Sequence, residues 1–155
     1  AAMNPCPCGF YNHPEKECSC GPGIIKQYLS RISGPLLDRI DMHLEVVPVP
    51  FSQLAQKEHA EGSASMRDQV IRAREIQHKR FEGAGLVSCN ASMGATLRNR
   101  YCALDRAGSS LIRLAMESLG FSARAYDRIL KVARTIADLE GSKKIHPSHL
   151  AEAIS

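Results

Sequence analysis

The chain has 155 residues, 44% of them hydrophobic, 23% charged and 5% aromatic, with no tryptophan and a formal net charge of +4. This length suits one domain or two small ones, with a core resting on Leu, Ile, Val, Ala and Met. The charge permits an anionic partner without demanding one. No apolar run has the length of a membrane helix, since LEVVPVPF is cut by prolines. No signal peptide or basic, Ser-rich leader is recognisable, so a cytoplasmic location is expected. The opening AAMNP reads as the end of a buried strand, which makes the chain an expected piece of something longer.

In chain order, Ala1–Met3 read as a strand end that Asn4-Pro5 breaks into a loop. Gly21-Pro22-Gly23 introduces a short helix, IIKQYLSRI, with Ile24, Tyr28 and Ile32 on one face. Ser33-Gly34-Pro35 ends it, LLDRI forms a turn or short helix, and Met42–Val47 alternates as a strand. A Pro-marked linker follows, with a helical turn at Ser52–Gln56. From Ser65 the chain reads as helical. Ser65-x-x-Asp68 resembles a capping box for MRDQVIRAREIQHKRF, and ASMGATLRNRYC gives a second, shorter helix. ALDRAGSSLIRLAMESL is the third, with Leu104, Ala107, Leu111, Leu114 and Ala115 at core spacing and Gly120 as the stop. Ser122 caps the fourth, whose inward residues are Ala125, Ile129, Val132, Ala133, Ile136 and Leu139. His146-Pro147 opens the fifth.

Three places carry chemistry. Cys6, Cys8, Cys18 and Cys20 form C-x-C, nine residues, C-x-C. Four thiolates on one hairpin-like loop suit a tetrahedral, structural Zn²⁺, with His13 as a substitute ligand. Free thiols, a disulfide or an iron–sulfur centre stay open beside it. Cys102 reads as a small core residue and Cys89 as uninformative. The second place is LLDRID, where Arg39 offers a phosphate-matching fork but sits between Asp38 and Asp41, as a surface ion pair would. The third is Arg124, whose charge at a helix start is disfavoured unless an anion binds there. Arg128, Lys131 and Arg134 follow it, with a solvated basic face as the plainer reading.

AAMNPCPCG, CSCGPGIIKQYLSRISGPLLDRIDMHLEV and SARAYDRILKVARTIADLEGS together resemble the ComM-type, magnesium-chelatase-like branch of the AAA+ ATPases, over essentially the whole chain. The resemblance implies a mainly α fold: a four- to five-helix AAA+ lid bundle (65–155), preceded by a truncated α/β piece of the ATPase core with the cysteine loop (1–50) and a linker (51–64). It implies that Asn4 is the sensor-1 residue, Arg39 the arginine finger acting on a neighbouring subunit, and Arg124 the sensor-2 arginine, with Arg31 the next intersubunit candidate. It further implies ATP with Mg²⁺ as cofactor of the intact protein, a ring, expected as a hexamer, and DNA as partner of a branch-migration helicase. A chelatase-type motor subunit, or a zinc-stabilised module binding nucleic acid or protein, is the alternative. Neither G-x-x-x-x-G-K-[ST] nor a Walker B strand occurs, so the piece alone is expected to be inactive.

Overall fold

The computed structural model describes residues 1–37, 39–46, 48–49 and 61–155. The chain divides into two compact units, Ala1–Glu58 and His59–Ser155.

In the first unit a cysteine-bearing loop leads into α1 (Pro22–Leu29) and the single turn α2 (Gly34–Leu37). Proline in the first turn of α1 starts it without costing a helical hydrogen bond. Ile25 is the residue α1 buries; Ile24, expected on the inward face, is 54% exposed. Two expected strands are corrected. Ala1–Met3 and the described residues 42–46 adopt no strand, and Met42, Leu44 and Val46 are exposed. A strand is held by a ladder to a neighbour, and no neighbouring strand exists among the described residues to supply one. The expected turn at Ser52–Gln56 lies outside the described residues, as does Asp38.

The second unit is a helical bundle: α3 (Ser63–Arg80), a 3₁₀ turn (Asn90–Ser92), α4 (Ala95–Tyr101), α5 (Arg106–Leu119), α6 (Ala123–Leu139) and α7 (Pro147–Ile154). The central element is α6, which packs on α3, α4, α7 and the 3₁₀ turn, while α5 packs on α7. Its Ile129, Leu130, Ala133 and Ala137 meet Phe81, Met93, Cys102, Ile112, Ile145 and Leu150 in one core. Gly108 lets α5 and α7 approach closely: a Cβ there would stand 3.0 Å from the Leu150 side chain.

Helix ends follow local chemistry. The Ser122 hydroxyl accepts from the Ala125 N–H (3.1 Å), as expected, and Asp105 caps α5 by accepting from Gly108 N–H (2.7 Å). That cap moves the start of α5 to Arg106, three residues past the expected one. Gly120 stops α5 in the left-handed region at φ 64°. The Ser65 cap is a correction. Helix α3 already begins at Ser63, and Ser65 donates back to Glu61 (2.8 Å) from inside the first turn. Three expected core residues are also corrected: Ala107 is exposed, Leu114 is 63% and Leu139 47% exposed, while Ile112 and Ala137 are buried on the same helices.

Arg134, read from sequence as part of a basic surface face, is 2% exposed. Its Nε donates to Asp138 (3.1 Å) and its terminal nitrogens to the Ser142 and Lys143 carbonyls. Asp138 also pairs with Arg80 and accepts from Asn90 (2.8 Å), which in turn accepts from Arg80 (2.8 Å). No buried side-chain polar atom among the described residues lacks a partner. No helix among them is long and apolar enough to cross a membrane.

Candidate metal centre and phosphate-facing residues

The cysteine loop is organised by its own backbone. Gly9 N–H donates to the Cys6 carbonyl (3.0 Å), and Gly9 takes φ 83°, a conformation that L side chains resist. This turn folds the chain around the sulfurs, so that Cys6, Cys8, Cys18 and Cys20 bring their thiols within 4.8 Å of one another. Sγ–Sγ separations are 3.3 Å for Cys6–Cys8, 3.7 Å for Cys6–Cys18 and 3.6 Å for Cys8–Cys18. Tetrahedral Zn–S bonds of about 2.3 Å put ligand sulfurs about 3.8 Å apart. The observed spacing fits that figure, and it is too long for any disulfide: all four cysteines are free.

The electrostatics divide the cluster in two. Backbone N–H of Phe10 draws the Cys8 thiol down to about 5. Cys6 is also lowered: burial opposes its ionisation, but the Tyr11 and Gly9 amides and the Cys18 thiol outweigh it. The Cys20 amide favours a Cys18 thiolate, yet burial and the neighbouring Cys8 and Cys6 push that thiol up to about 12. Cys20 is raised by burial and the same two neighbours against the Cys8 amide. One C-x-C pair is therefore shifted toward the thiolate and the other toward the thiol, for want of a compensating charge. A divalent cation held by the four would supply that charge and let all of them ionise. Cys6 is fully buried, and Cys8, Cys18 and Cys20 are half-buried. His13 is outside the cluster: its Nδ1 accepts from the Glu15 and Lys16 N–H groups (3.0 and 3.1 Å), and its ring stands edge-on to Phe10. The two other cysteines behave differently. Burial raises Cys102 to about 11, an inert core thiol, and the Ser92 hydroxyl lowers Cys89.

The phosphate-facing candidates are placed separately. Asn4 is exposed two residues before Cys6. Arg39 is exposed just past α2, with one guanidinium nitrogen donating to the Pro35 carbonyl (3.2 Å). Arg31 is exposed after α1. All three belong to the first unit; Arg124, exposed in the first turn of α6, belongs to the second. Within the second unit a cleft of about 590 Å³ opens between α4, α5 and α6, floored by Cys102, Ile112 and Leu130 and edged by Arg98, Arg113 and Tyr126. None of the phosphate-facing candidates lines it.

Residues 60–155 match the family described as magnesium chelatase, subunit ChlI C-terminal, and residues 1–54 match magnesium chelatase, subunit ChlI. The chain belongs to the magnesium chelatase ChlI family. Among relatives of this ChlI-family chain, Competence protein ComM of Haemophilus influenzae is 43% identical over 99% of the chain. YifB of Salmonella typhimurium is 40% identical over 100% of it, and YifB of Escherichia coli 39% over 100%. The chain spans 29% of the length of each of these relatives.

Proposed function

We propose that this ChlI-family chain is the trans-acting and sensing part of a ring-forming ATP-driven motor that works on DNA in competence and recombination, as a branch-migration helicase does. Its single strongest support is 43% identity along the chain to a protein named for competence. In this reading the first unit is the last part of the ATPase core and the second is its helical lid. ATP with Mg²⁺ binds where the phosphate cradle lies in the rest of the protein, and the motor assembles as a hexameric ring.

Each candidate residue then has a role in this reading. Asn4 orients the attacking water at its own subunit's nucleotide. Arg39 reaches the neighbouring subunit's γ-phosphate. Its side chain is exposed and donates to the neutral Pro35 carbonyl, a contact that is easily exchanged for a charged phosphate. Arg124, in the first turn of α6, adds its charge to the positive end of the helix dipole and reports phosphate occupancy to the lid. The four thiolates hold one structural zinc ion, leaving no open position for catalysis.

The test is made in the full-length protein. Arg39→Ala should reduce ATP hydrolysis by about 10³-fold or more with nucleotide binding retained. Normal hydrolysis by that variant transfers the assignment to Arg31. Hydrolysis stimulated by DNA, with salt-dependent DNA binding, is expected. A motor indifferent to DNA would favour the second reading, a chelatase-type subunit, which the description of both matched family regions supports.

A further inference from the structure

We propose that the cysteine cluster is also a modification site, at which peroxide links Cys8 to Cys18 and thereby withdraws the metal clamp from the first unit. The inference rests on the zinc reading above. What singles out this pair is a combination of distance and access. Cys6 and Cys8 are the closest sulfurs at 3.3 Å, but Cys6 is fully buried, and a disulfide between residues two apart closes a small, strained ring. Cys18 touches both Cys6 (3.7 Å) and Cys8 (3.6 Å), and of these two only Cys8 shares its access to solvent. Cys20, half-buried as well, lies within the same 4.8 Å span of the group and is the alternative partner that the test must separate from Cys18.

The step balances with hydrogen peroxide as the oxidant. The Cys8 sulfur attacks one peroxide oxygen, the O–O bond breaks, and hydroxide leaves behind a sulfenic acid. The Cys18 thiolate then attacks that sulfur, the S–S bond forms, and a second hydroxide departs. Two electrons pass from the two sulfurs to one peroxide, and two solvent protons convert the hydroxides to water. Closing the bond draws two of the four ligands together to about 2 Å, and Cys6 and Cys20 alone make an incomplete tetrahedral site. A dithiol reductant with added zinc reverses the change.

The chain itself suffices for the test, because Lys16 lies between the two C-x-C pairs. Metal content is measured first, the protein is titrated with hydrogen peroxide, and released zinc is read with a chromogenic chelator. Tryptic peptides are then mapped without reduction. The expected result is about one zinc released per disulfide formed, with peptides 1–16 and 17–26 joined, fragment ions between Cys6 and Cys8 placing the link on Cys8, and fragment ions between Cys18 and Cys20 placing it on Cys18. Protein purified under reducing conditions without metal overturns the zinc reading and this inference with it. Metal released without joining the peptides, or a link mapped to Cys6 or to Cys20, overturns this inference alone. Cys6→Ser provides a control in which the link should persist. The fragment map of the unaltered chain decides the matter even if that variant folds poorly.

Discussion

Arg134 and Asp138 lie one turn apart on α6, at 2% and 1% exposure, so neither charge reaches water. Asp138 is shared with Arg80, which arrives from the end of α3, and Asn90 fills its remaining acceptor capacity. One carboxylate thus balances two guanidinium groups, and the Ser142 and Lys143 carbonyls take up the remaining Arg134 donors. Asp138→Asn should therefore cost about 3–5 kcal/mol in denaturant unfolding, because it strands buried positive charge. Arg134→Met, which leaves Asp138 its bonds to Arg80 and Asn90, should cost less. The sequence displays Arg134 and Asp138 at helical spacing, but it hides Arg80, 58 positions away, whose approach makes the pair internal. That is why a buried clasp reads there as a solvated face. Asp127 is a milder case. Burial disfavours its charge, yet Lys131 (2.9 Å) and Arg98 (2.7 Å) outweigh burial and hold its carboxyl below the usual range. A depressed folded value means the stabilisation is complete above the ordinary carboxylate pKa and fades as pH falls through the folded one. Asp127→Asn should lower stability by no more than about 1 kcal/mol at neutral pH, and the gap from the parent should close in acid. A gap unchanged down to strong acid would mean that the carboxylate charge is not the cause.

Helices were legible wherever their ends carry their own chemistry. Ser122 and Gly120 act as the sequence indicates, because a hydroxyl cap and a left-handed glycine work within a few residues of chain. Ser65 satisfies the same pattern, but Glu61 recruits both Ser65 and Gln69 (2.5 Å) and the helix starts earlier. The consequence is measurable. Ser122→Ala and Asp105→Ala should each cost about 1 kcal/mol, whereas Ser65→Ala should fall within about 0.5 kcal/mol of the parent. Equal losses at all three would show that capping is not what separates them. The two strands fail for a different reason. Alternation in Met42–Val46 describes a segment suited to a sheet, but pairing is a property of two segments, and the described residues contain no partner. The cysteine cluster was legible because its four thiols are close in sequence. The roles proposed for Arg39 and Arg124 come only from the family resemblance, since exposed arginines carry no local mark of purpose.

The two units differ in what holds them. The second buries a continuous apolar core around α6, from Phe81 to Leu150. Among the described residues of the first, only Cys6 and Ile25 are buried hydrophobics, while Ile24, Leu36, Leu37, Leu44 and Val46 are exposed. Hydrophobic burial therefore contributes little among these described residues, and ligation of a metal by four thiolates would be the strongest cohesion they can provide. Metal removal should then act on one unit and spare the other. With a reductant present to prevent disulfides, a strong chelator should bring amide exchange in the cysteine loop and α1 close to that of an unfolded chain. Protection in α3, α6 and α7 should stay as it was, and the thermal midpoint of the bundle should not move. Restored zinc should restore loop protection. Persistence of loop protection without metal would mean that the Gly9 turn and α1 hold the unit by themselves. Loss of protection in α6 as well would mean that the bundle depends on the first unit for stability, and that the two fold as one.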